Sequence, residues 1–375
     1  MKKILSVFII LLFILDILSS PASVNAAEKK LLTYKGFKYV YTDKGVHIIN
    51  YRGNKSKVTV PAEIDGKKVV KLGVDLYEDI RDDLDMDREY YGGFGFSSNI
   101  EEVTVPGIKL ADGVFKFCPK LKKVTLKPGI KSITTWMFQG CKKLKTVSVP
   151  NTVTCIQDVA FVGCKSLKKI KLPSSLKRIG LGSFRDSGVQ KIALGKNFTS
   201  LASLAFDDGS KLQSIKVSEK NQKFSSSKGV MYNKKKTKLF CYPPNRKGKA
   251  FVIPKKVKTV SEYAFCYNQN LKSIVISSKV KKINSSSFFY CLKLSNLTIK
   301  SKKNLLIDEW AFYYCKSLKT VTLPKNVVKI RKKAFGYVRG NNGDKKVKGF
   351  TIKGYKGTAA EKYAKKNGFK FVALG

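Results

Sequence analysis

Apolar residues recur along this chain with a period close to 23, and the same order of positions returns inside each period. Phenylalanine marks the period at Phe115, Phe138, Phe161, Phe184, Phe206, Phe265, Phe288, Phe312 and Phe335, at intervals of 23, 23, 23, 22, 59, 23, 24 and 23. After Phe138 come Cys141, Leu144, Val147, Val149, Pro150, Val153, Ile156 and then Ala160-Phe161. After Phe312 come Cys315, Leu318, Val321, Leu323, Pro324, Val327, Ile330 and then Ala334-Phe335. A unit this short cannot enclose a core alone, so successive units must stack and cover one another's apolar face. Alternating pairs such as Val147 and Val149 predict a short strand with Ser148 facing outwards, and Pro150 ends it. The expected architecture is a β-rich solenoid of about ten coils of ~23 residues with short parallel strands. The phenylalanines would form an interior ladder, with small residues such as Ala160, Ala205 and Ala311 leaving them room.

Three departures shape the expected organisation. Between Phe206 and Phe265 the pattern keeps Leu212, Ile215 and Val217, then admits an insertion at about 219–250 before Ile253-Pro254 restores it. There Gly229-Val230-Met231-Tyr232 and Thr237-Lys238-Leu239-Phe240 flank a lysine-rich turn, which predicts a β-hairpin within a broken coil. Near the start, Val58, Val60-Pro61, Ile64, Val69 and Leu72 form a degenerate first coil behind hairpin-like strands at 37–41 and 46–51. Near the end, Thr358 with Glu361 is a capping box and Asn367-Gly368 a helix stop, predicting a helix of about ten residues. A last strand at 369–373 would complete this helix-strand cap. The expected division is a signal segment at 1–26, an N-terminal cap over 27–99, the solenoid over 100–343 and a C-terminal cap over 344–375.

The order Ala311-Phe312-x-x-Cys315, Leu318-x-x-Val321-x-Leu323-Pro324 and Val327-x-x-Ile330 resembles the BspA-like family of leucine-rich repeats. The resemblance covers roughly residues 45–374. It implies a right-handed leucine-rich-repeat solenoid with a parallel sheet on one side. It also implies a protein exposed at, or secreted from, the bacterial surface, of a kind linked to adhesion to host proteins or other cells. The family motif contains no catalytic residue, so none is implied, and no cofactor either.

The ends and the charge extend this picture. Lys2 and Lys3 precede an apolar stretch at 4–18 broken only by Ser6 and Asp16, and Val24-Asn25-Ala26 fits a small-residue cleavage site. This reads as a secretory signal peptide, its apolar core too short to span a bilayer. With no second stretch long enough to cross, the mature chain is expected without a membrane span, secreted or at the bacterial cell surface. The formal charge is +48, and removing 1–26 leaves 74 − 2 = 72 basic and 26 − 1 = 25 acidic residues, or +47. Such an excess attracts polyanions over long range. Only 8 of the basic residues are arginine. Base reading and bidentate phosphate contacts lean on arginine forks, so nucleic acid is not the expected partner.

Few constellations could carry chemistry. Cys118, Cys141, Cys164, Cys291 and Cys315 each stand three after a ladder phenylalanine and are expected as small hydrophobes in a turn, with disulfides left open. No C-x-x-C pair occurs and no histidine accompanies them, so neither metal nor cofactor is expected. His47, the single histidine, is expected at the surface of the N-terminal cap. Asp83, Asp85 and Asp87 alternate within an acidic run at 75–89, but Arg88 stands where a calcium loop needs glycine; a solvated loop docked on the basic face is expected. Without a nucleophile, base or phosphate loop, no enzyme or small-molecule substrate is expected.

The lysines follow the coils. Lys122, Lys145, Lys168, Lys272 and Lys319 stand two before each strand's first apolar residue, and Lys171 sits at a strand centre. Other strand centres carry small residues, among them Thr125, Ser148, Thr298 and Thr322. A hydroxyl strip edged with lysine is the expected ligand surface, for a host or neighbouring-cell protein, an anionic glycan or a cell-wall polymer. A stiff envelope spacer without a ligand is the alternative.

Overall fold

A computed structural model describes residues 30–74 and 92–375; the segment read as a signal peptide and the acidic run at 75–89 lie outside the described residues. The chain is a leucine-rich-repeat β-solenoid of about 14 turns with ~23-residue coils. This exceeds ten because the caps wind in register with the repeats. Thr351–Gly354 and Lys370–Ala373 continue, in parallel, the ladder that reaches Thr320–Thr322.

Most coils contribute two strands, so the expectation of a parallel sheet on one side is corrected to two parallel ladders. The coil at 168–172 forms no strand in the first of them, so Lys171 does not stand at a strand centre as expected. In the first, Lys57–Thr59, Glu102–Val105, Lys123–Leu126 and Thr146–Ser148 pair in register, aligning Val58, Val103, Val124 and Val147. In the second, Ser132–Ile133, Cys155–Ile156, Arg178–Ile179 and Ser200–Leu201 align Ile133, Ile156, Ile179 and Leu201. Stacking offers a partner to any extended segment at a fixed register. Strands of two residues are too short to show the period-two signal by which a strand is recognised in sequence.

The phenylalanine ladder fills the space between these sheets and the third side of each coil, where the chain turns. Most backbone N–H groups of the ladder donate to a carbonyl of the coil that follows, among them Phe138 to Ala160 at 2.9 Å, Phe161 to Ser183 at 2.8 Å and Phe288 to Ala311 at 2.8 Å. The buried rings stack nearly parallel, Phe115 on Phe138 at 5.4 Å and Phe288 on Phe312 at 4.6 Å. Edge-to-face contact would suit an isolated pair as well; the coil repeat of about 4.8 Å enforces stacking here. Two rungs lie outside the expected series. Phe94 stacks on Phe115 at 5.4 Å, starting the ladder beyond the acidic run, and Tyr242 stacks on Phe265 at 4.8 Å.

The insertion is a three-stranded antiparallel meander, Phe224–Ser227, Val230–Asn233 and Lys238–Cys241, and not a hairpin alone. Its first strand was missed because Ser225-Ser226-Ser227 lacks apolar alternation. Its last strand pairs in parallel with Thr259–Val260 and so re-enters the second ladder. The buried core divides here, one cluster running from Phe37 to Met231 and the other from Val230 to Phe369.

The C-terminal helix spans Ala359–Asn367 and ends on Gly368 in the left-handed region at φ 61°, whose N–H reaches the Ala364 and Lys365 carbonyls. Its capping box is half made. Glu361 accepts from the Gly357 N–H at 2.7 Å, whereas the Thr358 hydroxyl turns away to donate to the Tyr355 carbonyl at 2.6 Å. Among the described residues no helix is long and apolar enough to cross a membrane.

Candidate ligand-binding surface

The first ladder sets the hydroxyl row. Thr59, Thr104, Thr125 and Ser148 pair directly from coil to coil, exposed or half-exposed. Beyond them the row breaks. Ala193 pairs with Lys216, Val252 with Val275, and only then does Thr298 follow Val275. Thr322 pairs with Lys353 of the C-terminal cap. The expected strip is therefore two separate pieces, because residues such as Val252 and Val275 occupy the outward register without the hydroxyl.

Lys122, Lys145, Lys168, Lys171, Lys272 and Lys319 are all exposed. Lys122 and Lys145 are neighbours, the Lys145 N–H donating to the Lys122 carbonyl at 2.9 Å, and Lys272 lies beside Lys249 in the other half. The row is not uniformly positive. Lys122 Nζ stands 2.9 Å from the Glu101 carboxylate, whose pKa this hydrogen bond holds below its ordinary value. Glu102 sits between Lys57 at 3.4 Å and Lys123 at 4.0 Å. Exposed pairs add little stability, but they neutralise the N-terminal end of the stripe. Among the described residues Lys145, Lys168, Lys272 and Lys319 have no carboxylate within ion-pair reach.

The cysteine column is structural in detail. Each thiol donates to the ladder carbonyl of the coil before: Cys118 to Phe94 at 2.9 Å, Cys141 to Phe115 at 2.9 Å, Cys164 to Phe138 at 3.1 Å, Cys291 to Phe265 at 3.1 Å and Cys315 to Phe288 at 3.2 Å. In the coil of Phe265 the position belongs to Asn268, which donates to the Pro243 carbonyl at 3.1 Å. All eight cysteines are free thiols. Burial pushes Cys141, Cys266 and Cys315 well above the usual thiol range and Cys241 up to about 12, which disfavours the thiolate needed for nucleophilic or metal chemistry.

His47 is buried, with Nε2 2.7 Å from the Gly73 carbonyl, which corrects the surface placement. Its strand, Gly45–Tyr51, is paired on both sides, by Phe37–Thr42 and Lys67–Leu72, so the cap offers it little solvent.

The face that drew no expectation from sequence is the turn flanking the ladder. Positions two before and two after each ladder ring adopt left-handed backbone in coil after coil. Before the ring stand Trp136, Tyr263, Ser286 and Trp310 at φ 55°, 53°, 53° and 52°; after it stand Phe96, Phe117, Tyr267, Tyr290 and Tyr314 at φ 62°, 54°, 54°, 58° and 61°. A side chain there is disfavoured by about 1–2 kcal/mol, and Gly140 and Gly163 show that the same turn accepts glycine. Aromatic residues hold eight of these strained positions nonetheless. Tyr267 stacks on Tyr290 at 5.0 Å, Tyr290 on Tyr314 at 4.1 Å and Phe289 on Tyr313 at 5.5 Å. The runs Phe288-Phe289-Tyr290 and Phe312-Tyr313-Tyr314 carried this signal at fixed offsets from the ladder.

Tyr263, Phe289, Tyr290, Trp310 and Tyr313 border a cleft of about 400 Å³, to which the hairpin of Tyr337–Gly340 and Gly343–Lys346 contributes Arg339 and Asp344. Asp344 is already engaged: it accepts from the Tyr313 hydroxyl at 2.5 Å and pairs with Lys333. Those bonds hold its carboxyl below the ordinary range.

Stacked coils with the cysteine column and His47 turned into the core make a repeat-built scaffold. The chain belongs to the BspA type leucine rich repeat family, whose model matches residues 108–238 and 233–342, in 6 copies. A leucine rich cell surface protein from Faecalibacterium prausnitzii is structurally similar, with TM-score 0.62 and 21% identity over 94% of this chain and 96% of the other. A leucine-rich repeat protein from Eubacterium ventriosum gives 0.55 and 21%, over 84% and 99%. The pneumococcal vaccine antigen PcpA gives 0.60 and 15%, over 92% and 99%. At these identities the likeness establishes the fold alone. Among curated proteins, no sequence matches.

Proposed function

We propose that this chain is a secreted or cell-surface binding module that engages a protein or an anionic glycan through the outside of its coils. Membership in the BspA type family and the likeness to a protein named for the cell surface support a surface role and protein binding. One observation carries the electrostatic half of the reading: Lys145, Lys168, Lys272 and Lys319 stand exposed without ion-pair partners among the described residues. Extended solenoid faces suit large partners, and a formal charge of +48 draws anionic ones. The reading assigns no catalytic step.

The test is retention of the mature chain on bacterial cells and on sulfated glycan beads at about 0.05 and 0.5 M salt, spanning strong and weak screening. Binding that falls steeply with salt supports the module. Equal retention at both concentrations overturns the electrostatic part, and no binding to any cell, glycan or host protein leaves the spacer.

A further inference from the structure

We propose that the notch beside Tyr242 binds one extended segment of a partner protein, whose backbone takes the place of a turn that this coil lacks; this rests on the binding-module reading above. The chain runs five residues from Leu201 to Phe206 and from Val260 to Phe265, but three from Leu239 to Tyr242. Both ends of the short stretch are nevertheless in register. Leu239 pairs with Val260, the Tyr242 N–H donates to the Ala264 carbonyl at 2.7 Å, and the Tyr242 ring stacks on Phe265 at 4.8 Å. Two residues are therefore missing from the turn, while the coils on either side keep theirs. Coils repeat at about 4.8 Å, which sets the flanking turns roughly 10 Å apart, the room of one extended chain between two neighbours.

A cavity of about 200 Å³ occupies this place, with residues 201–206 on one wall, Ser261, Glu262 and Tyr263 on the other and Phe240 between. Leu204, Phe240 and Tyr263 are half-buried and Ser203 and Glu262 exposed, so the mouth reaches solvent. In a complete turn the N–H two before the rung donates forward, as Trp136 does to the Asp158 carbonyl at 3.3 Å, and so does the N–H of the rung, Phe138 to Ala160 at 2.9 Å. Here the Leu204 and Phe206 N–H groups have no acceptor, and the Glu262 carbonyl has no donor, among the described residues. Ser261 adds a third kind of orphan. Its counterparts Thr134 and Asn284 donate to carbonyls of the coil before, Ala111 at 2.8 Å and Val260 at 2.7 Å. The Ser261 hydroxyl lines the cavity, in a residue 6% exposed, and has no partner among the described residues.

Polar groups left this way are costly, and donors on one wall facing an acceptor on the other match a peptide chain, which carries both. Strand addition at a sheet edge is a common mode of peptide capture, and Ser200–Leu201 is the last strand of its sheet. Charge selects a neutral segment over a polyanion, because Lys238 and Glu262 line the cavity with opposite signs. Leu201, Leu204, Phe206 and Phe240 supply apolar wall for one leucine or phenylalanine side chain.

The test uses the full mature chain and capped, uncharged peptides Thr-Thr-X-Thr-Thr, with leucine, phenylalanine or glycine at X, at up to about 1 mM. Amide hydrogen exchange of Leu204 and Phe206 reads occupancy, with the bonded Val159 and Phe161 amides as internal references. The leucine and phenylalanine peptides are expected to slow exchange at both positions, more than the glycine peptide does. Their affinity should change less than about twofold between roughly 0.05 and 0.5 M salt, and dextran sulfate should leave both amides unaffected. Inserting Ser-Gly between Phe240 and Cys241 restores the five-residue spacing and should abolish the protection. Ser261→Ala should weaken the peptides about threefold or more without lowering the melting temperature, since the hydroxyl has no bond within the described chain to lose.

No slowing by any peptide, or peptide binding that survives the insertion, overturns the notch; salt-sensitive retention on cells then still upholds the surface reading. Should the insertion prevent folding, unchanged affinity in Ser261→Ala is the overturning result. Slowing by dextran sulfate alone replaces the peptide with a polyanion, and slowing that appears without peptide as the protein is concentrated replaces it with a second copy. Loss of both peptide binding and salt-sensitive retention overturns the notch and the electrostatic reading together.

Discussion

The Cys141 thiol donates to the Phe115 carbonyl at 2.9 Å, tying the turn of one coil to the ring-bearing residue of the coil before. Because the same bond recurs at Cys118, Cys164, Cys291 and Cys315, the thiol column acts as a row of staples along the ladder.

Removing one staple tests its role. Cys141→Ala leaves the buried Phe115 carbonyl without this donor and opens a small void, and is expected to cost about 1–3 kcal/mol. Cys141→Ser keeps a donor and should lose less, as Asn268 shows that a polar donor serves at this position. Thermal unfolding followed by circular dichroism compares them; equal losses would show that packing, not the hydrogen bond, holds the turn. In the native chain the buried thiols should also resist alkylation at neutral pH, since burial raises their pKa.

A pH dependence follows from Asp207, which is 6% exposed and whose carboxyl is pushed up to about 6, first by burial, with Arg185 Nε at 3.9 Å opposing. The unfolded carboxyl titrates near 3.9. Between roughly pH 4 and 6 the folded chain therefore holds more protons than the unfolded one, and stability falls as pH rises through that window. The loss is complete above it and amounts to at most about 3 kcal/mol. Asp207→Asn removes the charge with little change of shape, so it should raise the melting temperature at pH 7 and have little effect at pH 4. An equal gain at both pH values would place the cause elsewhere.

The Glu101–Lys122 pair makes a separate prediction for polyanion binding. Glu101→Gln removes a negative charge and releases Lys122, and should tighten binding to dextran sulfate about twofold at low salt. Lys145→Gln with Lys168→Gln should weaken it by a similar factor per charge. Both differences should vanish near 1 M salt, where screening acts within about 3 Å. No response to Glu101→Gln, measured by salt-dependent titration, would place the N-terminal end of the stripe outside the footprint.

Much of the architecture was legible from Phe138 to Phe161 alone. In a solenoid the neighbour of each side chain is its own counterpart one period away, so a column in sequence is a column in space. That is why the ladder, the strand at Thr146–Ser148 and the inward cysteines could be read directly. Phe94 and Tyr242 were not legible as rungs, since one stands 21 residues before Phe115 and the other is a tyrosine behind an insertion. His47 was misplaced for a related reason: a cap strand covered on both sides leaves no periodic signature in its own residues.

The sequence by itself determined the repeat, the family and the burial of the Phe and Cys columns, because constant spacing makes stacking the only way to hide those apolar residues. Tertiary structure decided what lies outside the core. It set a second parallel ladder from strands of two residues, paired Glu101 with Lys122 across a coil boundary, and cut the hydroxyl strip in two. These features depend on backbone dihedrals and on which side chains meet between coils, and periodicity within one coil carries neither.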